Sequence, residues 1–236
     1  MLSPLSTSER PTKSKVLLVD DHPIMRQGLT QLINAAADLV VCGEAATARE
    51  ALDQLETLNP DVVIVDISLE DRNGVELIKD ITARHPQLPC LVLSMYDESM
   101  YALRVLRAGG RGYVMKQEHP KVLLAAVRQV LAGHVHVSEE FSKRIVDQFF
   151  TTSNTTSLPP FSGLTDRELE VLTLLGRGYG TREIAAKLFL SVKTVEAHRE
   201  RIKKKMNLKN SAELMRYAIQ TTVDGVLPNS SPDSRR

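Results

Sequence analysis

Four consecutive β-branched apolar residues, Val62 to Val65, end directly at a carboxylate, Asp66. Such a run is typical of a strand that is buried on both faces, as in a parallel sheet covered by helices. Open α/β sheets carry their ligand-binding groups at the carboxyl ends of the strands. The run therefore predicts an α/β domain with a reactive carboxylate at one edge of its central sheet.

Other strand-like runs end in polar side chains of related chemistry, namely Asp20, Asp21, Ser94 and Lys116. Taken singly, each has an ordinary interpretation. Asp20 and Asp21 can cap a following helix, and Asp66 can begin a turn. Ser94 can simply end a strand, and Lys116 can be a solvated charge. Their order and spacing together favour a shared site, because clustered carboxylates repel one another and a hard cation such as Mg²⁺ relieves that repulsion.

The chain divides into an alternating part and a helical part. Strands are predicted at 15–20, 39–44, 61–66, 89–94 and 111–115, with amphipathic helices at 23–36, 47–58, 74–85, 97–108 and 120–132. This βα alternation indicates a five-stranded parallel sheet covered on both faces. The second part shows only helical patterns, at 166–176, 181–188, 192–206 and 211–221, and Thr165 with Glu168 forms a capping-box pattern at its start.

The predicted domain boundaries follow from these patterns and from composition. We expect a disordered extension at 1–14, an α/β domain at 15–137, a helix and a Thr-, Ser- and Pro-rich linker at 138–163, a helical domain at 164–223 and a disordered tail at 224–236.

Charge is unevenly distributed between the two parts. Residues 1–160 hold 16 Lys and Arg against 20 Asp and Glu, a net of −4, and residues 161–236 hold 14 against 9, a net of +5. This contrast favours metal chemistry in the first part and polyanion binding in the second. No apolar stretch approaches the roughly 20 residues that span a bilayer. Cys42 and Cys90 are interpreted as reduced core residues, and we expect a cytoplasmic protein with no membrane partner.

Four motifs of the first part, taken in order, resemble the receiver domain of bacterial response regulators. They are KVLLVDDHP at 15–23, VVIVDISLEDRNG at 62–74, LVLSMYD at 91–97 and GYVMK at 112–116. The resemblance implies a flavodoxin-like fold, Mg²⁺ as cofactor and a sensor histidine kinase as partner. It also implies that Asp66 is the phosphoacceptor, that Asp21 binds the metal directly, that Asp20 binds it mainly through water and that the Ser68 carbonyl completes the metal site.

By the same resemblance, Ser94 is the switch hydroxyl, Tyr113 is the switch aromatic that turns inward on phosphorylation, and Lys116 is the phosphate-binding lysine. The chain departs from the family pattern at two places where a proline is usual. Glu70 stands four residues after the phosphoacceptor, and Gln117 follows the lysine. Glu70 adds negative charge beside the site, but neither departure removes a catalytic group.

The segment 181–205 is typical of a helix-turn-helix unit, with Ser191 as the N-cap of its second helix. Val195, Ile202 and Met206 recur at helical spacing and form the predicted buried stripe. The opposite face is mostly charged and consists of Lys193, Glu196, Ala197, Glu200, Arg201 and Lys204, with His198 and Arg199 on the flanks. Such a face is also typical of an ordinary solvated helix.

The candidate DNA contacts are Lys193, Thr194, Glu196, Ala197, His198, Arg199, Arg201 and Lys204. The basic side chains among them suit phosphate groups. From geometry, Glu196 suits cytosine N4 and Ala197 suits a thymine methyl.

Three motifs of the second part resemble the LuxR-type DNA-binding domain: LTDRELEVL at 164–172, EIA at 183–185 and TVEAH at 194–198. The resemblance implies a four-helix domain with a recognition helix at 192–206 and a dimerisation helix at 211–221. On the latter, Leu214, Tyr217, Ala218 and Thr221 share one face, which fits either a dimer contact or the core of the domain. The order of the two domains is similar to the NarL/FixJ class of response regulators.

These features predict a transcription factor rather than an enzyme, in which phosphorylation of Asp66 controls homodimerisation and binding to double-stranded promoter DNA. Two alternatives remain. A phosphatase of the haloacid-dehalogenase type uses an Asp nucleophile but carries a second Asp two residues later, where this chain has Ser68. A signalling adaptor that no longer binds DNA is compatible with Glu196 and Glu200 on the exposed helix face.

Overall fold

A computed structural model describes residues 13–151, 161 and 163–223, and these form two domains. The first contains a five-stranded sheet of β1 (Ser14–Val19), β2 (Leu39–Ala45), β3 (Val62–Val65), β4 (Cys90–Ser94) and β5 (Gly112–Met115). Its helices are α1 (Pro23–Asn34), α2 (Ala48–Leu58), α3 (Gly74–Arg84), α4 (Glu98–Arg107) and α5 (Pro120–Leu131). The strands are parallel in the order β2-β1-β3-β4-β5. The predicted α/β class is confirmed.

The central strands are buried on both faces, as the apolar runs predicted. Along β3, Val62 and Ile64 face a layer that packs against α1 and α5, whereas Val63 and Val65 face a layer that packs against α2, α3 and α4. Since both faces are covered by helices, polar groups that follow these strands are reachable only at the carboxyl edge of the sheet.

The outer edge of β5 is covered by the chain that follows α5. His136 donates its backbone N–H to the Arg111 carbonyl and accepts from the Tyr113 N–H, each at 2.9 Å. The Ser138 N–H then donates to the Glu98 carboxylate at 2.8 Å, just before α6 (Glu139–Thr151) begins. These contacts protect an otherwise exposed strand edge and dock the start of α6 beside α4.

The second domain contains α7 (Asp166–Gly176), α8 (Thr181–Lys187), α9 (Val192–Lys205) and α10 (Ser211–Val223). The predicted capping box at its start is confirmed, because Thr165 accepts from the Glu168 N–H at 3.3 Å and Glu168 accepts from the Thr165 N–H at 2.8 Å. The buried Glu168 carboxylate also binds Lys205 at 2.7 Å. This ion pair ties α7 to the end of α9.

Three predicted segments lie largely outside the described residues: the N-terminal extension, most of the linker and the tail. Phe161, which belongs to the predicted linker, is described and is buried rather than solvated. Cys42 is half-buried and Cys90 is buried, and both are free thiols. None of the helices in the described part of the chain has the length and apolar character required to cross a bilayer.

Gly74 begins α3 where the chain passes very close to the backbone of Asp66. A Cβ at Gly74 would overlap the Asp66 carbonyl and approach the Ile67 Cα, and backbone atoms cannot move aside as a side-chain end can. We expect Gly74→Ala to lower the free energy of unfolding by about 1–3 kcal/mol, the usual cost of overpacking. Urea denaturation measures this change.

The matched control is Gly28→Ala in α1, where nothing lies within 4 Å of an added Cβ. This substitution is expected to raise the free energy of unfolding by about 0.5–1 kcal/mol, because alanine loses less backbone entropy in a helix. Equal urea midpoints for the two variants would contradict the packing argument.

Candidate functional site

Three charged side chains from different strand ends meet at the carboxyl edge of the sheet. The Lys116 ammonium lies 2.7 Å from the Asp20 carboxylate and 2.7 Å from the Asp66 carboxylate. Both acids are 3% exposed. The single-residue interpretations of Asp66 as a turn residue and of Lys116 as a solvated charge therefore do not apply, since all three groups are committed to one cluster.

Burial and neighbouring charges shift the pKa values of the cluster in identifiable directions. Burial raises the pKa of the Asp66 carboxyl, and the nearby Lys116 ammonium opposes this effect only in part. Burial lowers the pKa of Lys116, but the Asp66 and Asp20 carboxylates outweigh it and the pKa is raised overall. Lys116 thus stays protonated and can offer its positive charge to an anion bound beside Asp66.

The neighbouring residues complete a group of possible metal ligands. One ligand atom each from Asp20, Asp21, His22 and Asp66 lies within 4.8 Å of the others. Burial raises the pKa of Asp21, which indicates a carboxylate that a cation would stabilise. The three carboxylates form an all-oxygen set that suits Mg²⁺. Asp20 does not cap α1 directly, because its carboxylate accepts from the His22 N–H at 2.9 Å while His22 is the N-cap residue.

The loop after Asp66 is held in place without the proline that is usual in receiver domains. Ser68 donates its backbone N–H to the Asp66 carboxylate at 3.3 Å. Asp71 accepts from the N–H groups of Ala48 and Arg49 at 3.0 and 3.2 Å, which fixes the loop to the start of α2. Glu70 is exposed to solvent. The Asp71 anchor thus provides a restraint that the proline would otherwise supply.

The predicted switch residues lie beside the cluster. Ser94 is fully buried, and its hydroxyl accepts from the Tyr96 N–H at 3.2 Å. Tyr113 is only 2% exposed and donates its hydroxyl to the Tyr96 carbonyl at 2.8 Å. Tyr113 therefore faces inward in this structure, where its buried hydroxyl has a backbone acceptor.

The second domain packs over this same edge of the sheet, which the sequence did not predict. Asn73 caps α3 by accepting from the Val75 N–H at 2.8 Å and donates its side-chain amide to Glu170 of α7 at 2.6 Å. Glu170 is 1% exposed, also binds Arg167 at 2.7 Å, and has a pKa raised by burial. The N-cap role of Asn73 is readable from the sequence, but its partner in the other domain is not.

Arg104 at the end of α4 makes a second contact between the domains. Its guanidinium donates to the Phe161 carbonyl at 2.6 Å, to the Leu164 carbonyl at 2.8 Å and to the Asp166 carboxylate at 2.9 Å. Arg177, which directly follows α7, lies over the ring of Tyr96, 5.8 Å from its centroid. The two domains therefore adopt a closed arrangement held by polar groups that no local sequence motif marks as partners.

In the second domain, α8 and α9 form the predicted helix-turn-helix. The Ser191 hydroxyl caps α9 by accepting from the Thr194 N–H at 3.0 Å. Val195 and Ile202 are fully buried and Met206 is half-buried, as predicted. All six residues of the predicted outer face are exposed: Lys193, Glu196, Ala197, Glu200, Arg201 and Lys204.

The remaining candidate DNA contacts are half-buried and have other neighbours. Thr194 packs its hydroxyl against that of Ser191 at 2.7 Å. Arg199 donates to the Thr181 hydroxyl at 2.5 Å. His198 lines a groove between α9 and the first domain, and burial lowers its pKa. The exposed face of α9 is thus the part of the helix that is free to contact a ligand.

One face of α10 fits either a dimer contact or the core of the domain, and the structure favours the core. Leu214 and Ala218 are completely buried in the domain core with α7. Tyr217 makes an edge-on contact with Phe161, with ring centroids 6.3 Å apart. The Thr221 hydroxyl donates to backbone carbonyls of its own helix. Leu214 and Ala218 therefore cannot act as dimer contacts in this conformation.

Comparison with protein families assigns both domains. Residues 16–128 match the family described as "Response regulator receiver domain", and residues 162–218 match "Bacterial regulatory proteins, luxR family". The oxygen regulatory protein NreC of Staphylococcus epidermidis is 37% identical over 211 residues, which cover 87% of this chain and 97% of NreC.

Solved structures also resemble this chain, over 88% of it in one case and over 59% in another. The RcsB response regulator of Salmonella enterica serovar Typhimurium, bound to promoter rprA in the presence of the phosphomimetic BeF3⁻, is 27% identical, with a TM-score of 0.59 over 88% of this chain and 99% of RcsB. A LuxR-family two-component response regulator from Aurantimonas sp. SI85-9A1 is 32% identical, with a TM-score of 0.55 over 59% of this chain and 99% of that one. Together with the strand-end cluster and the helix-turn-helix, these similarities establish that the chain belongs to the two-component response regulators in which a receiver domain precedes a LuxR-type DNA-binding domain that regulates transcription.

Proposed function

We propose that this response regulator accepts a phosphoryl group on Asp66 from a sensor histidine kinase and thereby controls its dimerisation and its binding to promoter DNA. The observation that carries the proposal is the buried contact of Asp66 with Lys116 at the carboxyl edge of the sheet. Members of the family take phosphoryl groups from sensor kinases, dimerise and bind promoter DNA. The family consists of transcription regulators rather than classical enzymes, which disfavours the phosphatase alternative.

The chemistry at the site is a phosphoryl transfer to a carboxylate. An Asp66 oxygen forms the new O–P bond while the P–N bond to the donor histidine breaks, and the imidazole nitrogen keeps that electron pair. Lys116 then moves its positive charge from the carboxylate to a phosphoryl oxygen, and the Ser94 hydroxyl donates to another. Both side chains are positioned at adjacent strand ends, because the Lys116 N–H donates to the Ser94 carbonyl at 2.8 Å.

A magnesium ion fits the donor set of this chain. Asp20, Asp21, Asp66 and the Ser68 carbonyl would hold it, with Asp20 acting mainly through water. When bound, the ion supplies positive charge that offsets the clustered carboxylates and the phosphoryl oxygens. His22 contacts Asp21 at 2.5 Å, so this carboxylate is oriented by a neighbour before any ion arrives.

The contacts that hold the two domains closed are the structural feature that phosphorylation would change. Ser94 ends β4 shortly before α4, and α4 carries the Arg104 that binds the linker and α7. A shift of Ser94 toward a phosphoryl group would move α4 and weaken the Arg104 contacts, which favours release of the second domain. In the released form, two exposed α9 faces would bind paired DNA half-sites as a dimer.

Phosphorylation at Asp66 is tested by incubating the purified protein with Mg²⁺ and acetyl phosphate. Intact mass is expected to show one labile phosphoryl adduct on the wild type and none on Asp66→Asn. Gel filtration should show a shift toward the dimer, and fluorescence anisotropy with duplex DNA should show tighter binding, only for the wild type.

Two results would count against the proposal. An adduct on Asp66→Asn would place the acceptor elsewhere. A phosphorylated wild type that stays monomeric on DNA would refute the coupling of phosphorylation to dimerisation.

Magnesium binding is tested by thermal and urea denaturation with and without the ion. At about 100 times its dissociation constant, a ligand that binds only the folded state stabilises it by about 2.7 kcal/mol. We expect a gain of this order for the wild type and most of it to be lost in Asp21→Asn. The control Asp53→Asn alters an exposed acid on α2 and should retain the full gain. An equal gain in all three proteins would exclude Asp21 as a ligand.

The closed arrangement is tested by Arg104→Ala, which removes three interdomain hydrogen bonds. The unphosphorylated variant should have a larger radius of gyration by small-angle scattering and bind DNA about tenfold more tightly, a typical size for coupling between two sites. Arg107→Ala is the matched control, since Arg107 is exposed on the same helix. Identical scattering profiles for the two variants would show that Arg104 does not hold the domains closed.

A further inference from the structure

A histidine stands beside the acids of the candidate metal site, and the magnesium ligand set of three carboxylates does not use it. One ligand atom of His22 lies within 4.8 Å of one from each of Asp20, Asp21 and Asp66. The His22 Nδ1 is 2.5 Å from Asp21 Oδ1 and 3.3 Å from Asp20 Oδ1. The ring therefore faces the acids from the solvent side of the cluster, with 67% of its side chain exposed.

Helix capping does not explain the position of the His22 ring. His22 is the N-cap residue of α1, but its side chain accepts no hydrogen bond from that helix. His119 has the same position at the start of α5, and there the ring Nδ1 accepts from the Lys121 N–H at 3.2 Å. An N-cap imidazole can thus bind its own helix, whereas the His22 ring is turned toward the carboxylates.

One oxygen of the cluster is buried without a hydrogen bond. Among the described residues, no donor approaches Asp21 Oδ1 in hydrogen-bonding geometry, and the atom itself is buried. The His22 nitrogen is close enough to this oxygen but does not meet the direction that a hydrogen bond requires. An unpaired buried carboxylate oxygen is unfavourable, and a cation bound to it would remove that penalty.

The other two acids keep oxygens for the same ion. Lys116 contacts Oδ2 of Asp20 and Oδ2 of Asp66, so the ammonium leaves both Oδ1 atoms accessible to a metal. Two ligands of one transition ion, each about 2.0–2.2 Å from it, are at most about 4.4 Å apart. The four ligand atoms lie close to this range, and the exposed His22 ring can adjust while the buried strand ends stay in place.

We infer that His22 is a fourth metal ligand, which raises the affinity of the site for ions of the zinc and cobalt class relative to Mg²⁺. Imidazole nitrogen suits zinc and the later first-row transition ions, whereas Mg²⁺ takes oxygen ligands and keeps several waters. The inference rests on the proposed function, because it assumes that the acids around Asp66 hold a divalent ion. It assigns His22 a role in selecting that ion and leaves the role of Asp66 unchanged.

The test measures dissociation constants for Co²⁺ and Mg²⁺ by isothermal titration calorimetry with the untagged full chain. His22→Ala is expected to raise the Kd for Co²⁺ about tenfold or more, since even groups that only orient a metal ligand are worth about 10–100-fold in affinity. The Kd for Mg²⁺ should change less than about twofold, because Mg²⁺ does not use the imidazole. Added Mg²⁺ should reverse the visible absorption change of bound Co²⁺, which shows that both ions share one site.

His134→Ala is the matched control, since His134 is an exposed histidine outside the cluster. This variant should bind both ions as the wild type does. A second variant, His22→Asp, replaces the ring nitrogen by an oxygen ligand and should lower the preference for Co²⁺ over Mg²⁺.

Three results of the titrations would overturn the inference. Tighter binding of both ions to His22→Ala would show that His22 competes with the ion for Asp21. An equal loss of affinity for both ions would show that His22 acts on the acids and not on the ion. Equal Co²⁺ affinities for His22→Ala and the wild type would leave the magnesium site intact without His22 as a ligand. Absence of Mg²⁺ binding to the wild type would instead refute the metal site of the proposed function.

Discussion

The Lys116 ammonium holds two buried carboxylates together at the carboxyl edge of the sheet, and the rest of the site is arranged around this contact. Asp20, Asp66 and Lys116 follow β1, β3 and β5, so the cluster depends on the order of the strands. Each buried charge would cost several kcal/mol if left unpaired, and such a cluster is seldom more stable than an apolar replacement. Its presence at a reachable edge therefore indicates a functional rather than a stabilising role.

Polar contacts connect the second domain to elements beside this cluster. The loop that follows Asp66 carries Asn73, which caps α3 with one side-chain atom and binds Glu170 with another. The Asn73 side chain thus links the geometry of the loop after Asp66 to the position of α7. Arg104 likewise links α4 to the second domain, because all of its hydrogen-bond acceptors lie at or just before the start of that domain. The closed arrangement is consequently sensitive to small movements of two receiver elements.

Much of the fold and of the candidate site could be predicted from the sequence, because hydrophobic periodicity and the residues that follow each strand are local features. The α/β order, the buried stripe of α9 and the charged group around Asp66 all follow from short segments. What could not be predicted depends on distant partners. Asn73 and Glu170 are 97 residues apart in the chain. The apolar face with Leu214 and Ala218 has the same pattern whether it meets another chain or α7. The inward position of Tyr113 depends on the Tyr96 carbonyl, which no spacing reveals.

Charge alone does not separate the two domains on phosphorylation. A phosphoryl group of about −2 replaces a carboxylate of −1, so the local change is about one unit. The side chains between the domains meet this change with both signs, since Glu170 is repelled while Arg167 and Arg177 are attracted. At about 10 Å and an effective dielectric constant near 20, each unit pair is worth about 1.7 kcal/mol, so one repulsion against two attractions leaves a net attraction. In the proposed switch, opening therefore comes from movement of α4, which displaces Arg104 from its acceptors, rather than from repulsion between the domains.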